Sequence, residues 1–214
     1  IIKHIASKNK PYILATGASS LEDVKRAVNA ASKINDNLAL LQCNTNYTAS
    51  LENFKYIQLN VLKKYSELFP DLILGLSDHT PGHSTVLGAV TLGARIIEKH
   101  FTDDNNRTGP DHLFSMNPKD WSEMVLRTRE LENSLGRGFK QVENNEKETV
   151  IVQRRSLWLN KNISKGEYVK KDDIDILRPS PVNGVQPYDI NKILTQKLNK
   201  NKSKGENLKI NDFE

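Results

Sequence analysis

The hydrophobic positions of this 214-residue chain fall into two alternating patterns. Short continuous apolar runs at 11–16 (PYILAT), 38–42 (LALLQ), 72–76 (LILGL) and 96–97 each give way to a turn. A longer segment with apolar positions every three or four residues follows each one. Continuous runs bounded by turn signals read as buried strands, and the second pattern reads as amphipathic helix. Residues 1–9 read as the end of a helix (Ile1, Ile2, Ile5, Ala6). Ser20 with Asp23 forms a capping-box signature ahead of Val24, Ala27, Val28 and Ala31. Ser50 opens a helix with Leu51, Phe54, Ile57, Val61 and Tyr65 on its apolar stripe, closed by Pro70. Val86, Leu87, Ala89, Val90 and Leu92 mark a third. Asn117 and Pro118 stand at N-cap and N1 of a fourth, which carries Trp121, Met124, Val125, Thr128, Leu131 and Leu135 and stops at Gly136. Strand then helix, repeated without a hairpin, predicts an α/β fold with a parallel sheet. Four such units are half of a (β/α)8 barrel.

The texture changes after 135. Residues 136–150 form a glycine- and charge-rich connector, and 151–214 carry short β-like pieces (149–152, 156–159, 174–177) between turn signals such as Lys165–Gly166 and Asn183–Gly184. The expected organisation is a partial barrel over 1–135, a linker over 136–150 and a small β-rich domain over 151–214.

Composition narrows the function classes. Hydrophobic residues are 37% of the chain and mean hydropathy is −0.58. No apolar run approaches the ~20 residues that cross a bilayer, and no signal-peptide pattern opens the chain. The single Cys43 excludes an internal disulfide and a zinc knuckle, and a reducing cytoplasm is the expected compartment. The net charge of +5 comes entirely from residues 151–214, where 13 basic residues face 8 acidic ones, against 18 and 18 in 1–150. Aromatic residues are not interleaved with this charge, so it reads as a solvated Lys/Asn-rich surface rather than a nucleic-acid site.

Chemistry-bearing residues gather where the strands stop. The third strand ends in Ser77, Asp78 and His79, and the fourth in Glu98, Lys99 and His100. Parallel barrels place their chemistry at the C-terminal strand ends. Neighbouring strands lie about 4.8 Å apart, so His79 and His100 can address one shared cation. One such histidine alone reads as a strand-end cap; a pair at equivalent ends of successive strands reads as a site. The polar loop 103–112 (DDNNRTGPDH) is a candidate lid or ligand loop.

Together these runs resemble the sialic acid (N-acetylneuraminate) synthase family. The matching stretches are ILATG (13–17), QCNTNY (42–47), GLSDHT (75–80), GARIIEKHFT (93–102) and GPDH (109–112), with RRS (154–156), ISKGE (163–167) and LRPSPVNG (177–184) in the tail. The tail resembles the antifreeze-like domain of that family. The resemblance implies a transferase that condenses phosphoenolpyruvate with an N-acetylated sugar aldehyde such as N-acetylmannosamine, releasing phosphate. It implies a divalent metal, Mn2+ or Mg2+, on His79 and His100. It also implies Glu98 as the catalytic carboxylate, Ser77 on the phosphate, Thr45, Tyr47 and Asp111 on the sugar, and Arg178 entering the site of a partner subunit in a domain-swapped homodimer. Each residue has a plainer alternative: Glu98 in a salt bridge, Tyr47 as a capping aromatic, Asp111 in a turn, Arg178 on the surface. Two positions depart from the family pattern: Ala15 stands where LSTG places serine, and Val152 where some relatives carry phenylalanine. The family begins with four further strands that carry phosphoenolpyruvate-binding groups. Their absence here, with Ile at position 1, leads to the expectation of a fragment that is inactive alone and associates through its open strand edges. A related phosphoenolpyruvate-dependent sugar-acid synthase and a non-catalytic carbohydrate-binding module are the alternative readings.

Overall fold

A computed structural model describes residues 1–214. The chain divides into two compact units, Ile1–Gly138 and Phe139–Glu214.

The first unit contains α1 (Ile2–Ala6), β1 (Tyr12–Ala15), α2 (Leu21–Ser32), β2 (Leu38–Cys43), α3 (Val61–Leu68), β3 (Ile73–Asp78), α4 (Ser84–Thr91), β4 (Ile96–Lys99) and α5 (Pro118–Leu135). The strands form one sheet in the order β1-β2-β3-β4, every pair parallel. That is the half-barrel arrangement the repeat of strand and helix predicts. The predicted caps are in place. Ser20 and Asp23 close a capping box on α2, Asn117 Oδ1 accepts from Asp120 N at 2.9 Å, and Gly136 ends α5 with φ 60°.

Side-chain alternation gives the sheet two faces. Leu38, Leu40, Leu74 and Leu76 point to the helices, where they bury against Val24, Val28, Ala31, Ile57, Leu62, Tyr65 and Ala89. The opposite face carries Ile13 and Ile73, each about half exposed, low on the strands. Higher up, toward the C-terminal strand ends, that same face carries Cys43, Ser77 and Glu98, one row across three strands. A second small core of Val86, Val90, Met116 and Met124 fastens α5 to α4.

One predicted element of the first unit is different. The helix expected from Ser50 through Tyr65 is broken into a 3-10 turn (Leu51–Tyr56) and α3. Gln58 between them has a left-handed backbone, φ 54°. The break lets Ile57 bury in the core while its carbonyl accepts from Gln42 Nε2 at 3.0 Å.

The second unit holds α6 (Lys147–Gln153), β5 (Ser156–Leu159), β6 (Ile174–Leu177) and α7 (Ile190–Ile193). β5 and β6 pair antiparallel, and isolated bridges tie the remaining turns together. Leu157, Leu159, Ile163, Val169, Val185, Ile193, Leu198 and Leu208 form its core. The segment 149–152, expected as β-like from its β-branched run, is helical instead. No neighbouring strand offers it a ladder, and Glu148 stands in the first helical turn, where acidic residues favour a helix start. Val152 consequently sits on a short exposed helix.

Candidate functional site

The site is built by the C-terminal ends of β2, β3 and β4 and the loops that leave them. The β3–β4 register pairs Ser77 with Glu98 and Asp78 with Lys99. His79 and His100 are the residues that directly follow each strand. Alternation therefore puts Ser77, His79, Glu98 and His100 on one side, and Asp78 and Lys99 on the other.

Ser77 is buried and donates through Oγ to Glu98 Oε1 at 3.1 Å; Glu98 itself is exposed. The rings of His79 and His100 have centroids 5.1 Å apart, inclined at 56°. His79 Nδ1 lies 3.0 Å from the Asn44 carbonyl. A carbonyl can only accept, so Nδ1 carries a proton in this contact and Nε2 is the nitrogen left for another partner. His100 Nδ1 faces Asp111 Oδ2 at 3.5 Å. This is the outer support that metal-binding histidines use to fix ring orientation.

The donor set fits a divalent cation. Two imidazoles bound to one ion through nitrogens at ~2.1 Å place their ring centroids about 4.6 to 5.3 Å apart for angles between ~90° and ~109°. No third His, Cys, Asp or Glu joins these two in a metal-binding group. Such an ion would keep open positions for substrate or water.

The sugar-side candidates lie around these rings. Tyr47, on the loop after β2, stands edge-on to His79 with centroids 4.5 Å apart, and 5.7 Å from His100. Thr45 is exposed beside it and pressed against Gly17: a Cβ at Gly17 would sit 1.8 Å from Thr45 Oγ1. Asp111 is brought in by the loop after β4. That loop is ordered from within. Asn105 Nδ2 donates to the His112 and Ser115 carbonyls at 2.8 and 2.7 Å, and Ser115 Oγ donates to the Asp111 carbonyl at 2.6 Å. Thr45, Tyr47, Ser77, His79, Glu98, His100 and Asp111 thus share the strand ends of the first unit. Arg178 belongs to the second unit. It is exposed directly after β6, next to Pro179, whose carbonyl accepts from Trp158 Nε1 at 3.2 Å. Ala15 lies on β1 and is exposed.

Three contributors escaped the sequence reading. Phe114 is 3% exposed and packs edge-on against His100 at 5.0 Å and against His79 at 6.3 Å. The Asn44 carbonyl fixes the His79 tautomer, and no side-chain pattern announces a backbone contact. Asp78 and Lys99 form a fully buried ion pair at 2.6 Å on the far face of the same strands. That pair was legible in principle, since aligning SDHT with EKHF by strand register sets Asp78 opposite Lys99.

Comparison with known proteins places this arrangement. Residues 1–140 match the NeuB family and residues 154–214 match the SAF domain. The N,N'-diacetyllegionaminic acid synthase of Legionella pneumophila is 36% identical over 97% of this chain and 58% of its own length. The pseudaminic acid synthase of Campylobacter jejuni is 32% identical over 100% of this chain and 60% of its own. A solved spore coat polysaccharide biosynthesis protein E from Chromobacterium violaceum superposes with a TM-score of 0.71 at 18% identity, covering 100% of this chain and 63% of that one, a likeness of fold. The chain therefore spans less than two thirds of the length of these relatives. On the match of its first 140 residues and its identity to these synthases, the chain belongs to the NeuB family and carries a SAF domain after its half-barrel.

Proposed function

We propose that these strand ends form the cation-bearing half of a nonulosonic acid synthase site. The reaction would condense phosphoenolpyruvate with an N-acetylated sugar aldehyde of the N-acetylmannosamine type and release inorganic phosphate. The observation that carries this reading is the 5.1 Å separation of the His79 and His100 rings beside the Ser77–Glu98 hydrogen bond, at the C-terminal ends of two adjacent parallel strands.

His79 and His100 would hold a divalent cation, Mn2+ or Mg2+, through their free nitrogens. When bound, that cation would supply Lewis acidity toward the aldehyde oxygen. The protein's own groups do the rest. Ser77 can turn its hydroxyl from Glu98 to a phosphate oxygen, freeing the carboxylate. The enol electron pair forms the new carbon–carbon bond and the former aldehyde oxygen takes up a proton. Glu98 then accepts a proton from the water that adds to the cationic carbon bearing the phosphate, whose C–O bond breaks to release phosphate and leave a ketone. Asp111 and Tyr47 would orient the sugar beside the rings, with Thr45 as a further polar contact. Arg178, from the SAF domain of a second subunit, would complete the pocket in a domain-swapped homodimer. The names of the relatives, which make legionaminic and pseudaminic acids, support the reaction class and leave the sugar open. Because the chain spans 58% of the Legionella relative, we expect no turnover by these 214 residues alone.

The test uses the chain with Mn2+ as paramagnetic probe. N-Acetylmannosamine is titrated in and the relaxation of its C1 proton is followed by NMR. Relaxation enhancement that needs both chain and Mn2+, and is lost in His100→Ala, supports the reading. Binding of the sugar with no Mn2+ effect would instead identify a carbohydrate-binding module. Co-expression with the N-terminal segment of the Legionella relative, assayed for phosphate release, extends the test to turnover.

A further inference from the structure

We propose that the buried Asp78–Lys99 ion pair is a positioning element that holds His79 and His100 at a separation one divalent cation can bridge. The inference rests on the cation reading above and assigns the residues that make it possible.

The pair lies on the opposite face of β3 and β4 from the site, with side chains 0% and 1% exposed, so neither group can touch substrate. Its bonding is dense. Asp78 Oδ1 accepts from the Thr80 amide at 3.1 Å and from Thr80 Oγ1 at 2.8 Å. Asp78 Oδ2 accepts from Thr85 Oγ1 and from Lys99 Nζ, both at 2.6 Å. Lys99 Nζ also donates to the Thr80 carbonyl at 2.6 Å. These bonds fall on the backbone neighbours of the two histidines: Asp78 and Thr80 flank His79, and Lys99 precedes His100.

The ladder itself ends at Asp78 and Lys99. Beyond it no strand pairing holds His79 and His100 together. The ammonium of Lys99 does so instead, reaching from β4 to both sides of His79, while Thr85 ties the cluster to the first turn of α4. Stability alone does not account for such a pair, because well-packed apolar residues of similar volume often replace buried ion pairs at little or no cost. A charged, multiply bonded cluster differs from apolar packing in accepting only one geometry. That property is needed where two imidazoles must converge on one ion.

The test compares the full chain with the double variant D78N/K99M, which removes the charges together and keeps an acceptor for the threonine hydroxyls. Folding is checked by circular dichroism. Mn2+ affinity is measured by titration, and the ring tautomers of metal-free protein by 15N NMR of the histidines. A folded double variant with about 10-fold or greater loss of Mn2+ affinity, the size expected when outer support of a ligand is removed, and with loss of the single Nδ1–H tautomer of His79, supports the proposal. A folded variant with unchanged affinity and unchanged tautomer overturns it. Should the wild-type chain bind no Mn2+, the cation reading fails by itself, and an unchanged tautomer in the variant would then overturn the positioning role as well. If the double variant does not fold, Thr85→Val, which deletes one hydroxyl from the cluster, decides: weaker Mn2+ binding supports and unchanged binding overturns.

Discussion

Gly75 has no room for a side chain at the β3–β4 seam, and Gly75→Ala tests whether the two strands approach as closely as the site requires. A Cβ at this position would stand 2.4 Å from the Ile96 carbonyl oxygen, 2.9 Å from Leu41 Cγ and 3.0 Å from Leu41 Cδ1. Ordinary van der Waals contact begins near 3.4 Å, so the neighbouring backbone would have to retreat by about 1 Å, a fifth of the ~4.8 Å strand spacing. Leu41 is 0% exposed and has nowhere to move. Overpacking of this kind costs about 1–3 kcal/mol, and weakening one ladder bond adds about 1 kcal/mol. The lower unfolded-state entropy of alanine returns about 0.4–1 kcal/mol. The expected net destabilisation of the first unit is therefore about 1–4 kcal/mol. The chain has two tryptophans, Trp121 in the first unit and Trp158 in the second. Urea unfolding followed by fluorescence in a Trp158→Phe background reports the first unit alone. A Gly75→Ala midpoint equal to or above that of the parent would refute the close approach of β3 to β4, and with it the spacing from which the site is built.

Further outcomes follow from other parts of the structure. Asn117→Ala should destabilise the first unit by about 1–2 kcal/mol in the same assay, since it removes the cap on α5 and the 2.9 Å bond to Asn105 Oδ1; an unchanged midpoint contradicts the capping role. Phe114→Ala should cost about 3–5 kcal/mol and loosen both imidazoles, read as a change in their 15N and 13C shifts; unaltered histidine spectra would show that Phe114 does not support them. For Asp212 in the second unit, burial pushes the carboxyl pKa up, but hydrogen bonds from Lys200 and Lys202 outweigh it and hold the net value below the ordinary one. A depressed folded pKa means the stabilisation is complete above the unfolded value of ~3.9 and is lost as pH falls through the folded value. Acid unfolding of the second unit should thus be steeper in the parent than in Asp212→Asn, and identical slopes contradict the assignment. Ile13 and Ile73, 51% and 54% exposed on the open sheet face, should drive concentration-dependent association of this chain in sedimentation velocity, reduced in Ile13→Lys; a monomer at all concentrations contradicts this.

Much of this fold was legible because its rules are local. The Ser20–Asp23 capping box, the Asn117–Pro118 start and the Gly136 stop are each decided within four residues, and the structure carries all three. The parallel sheet followed from repetition of strand and helix. What the pattern missed depended on partners distant in sequence. The segment 149–152 has strand-forming residues but no strand to pair with, and it became helix. The Ser50–Tyr65 stripe kept helical spacing, yet burial of Ile57 was served better by a left-handed Gln58 than by a continuous helix. In the site, the two histidines and Glu98 were expected at the strand ends, and the structure places them there side by side. Phe114 and the Asn44 carbonyl were not readable, since their contacts are made by the loops after β4 and β2; the Asp78–Lys99 pair could be read only by setting the two strands in register.

The central claim is that His79 and His100 share one divalent ion. Electron spin-echo spectroscopy of Mn2+ bound to the chain counts the coordinated imidazole nitrogens directly. The account predicts two in the wild-type chain and one in His79→Ala, with weaker binding. Bound Mn2+ without imidazole modulation, or the same modulation in wild type and His79→Ala, would contradict it.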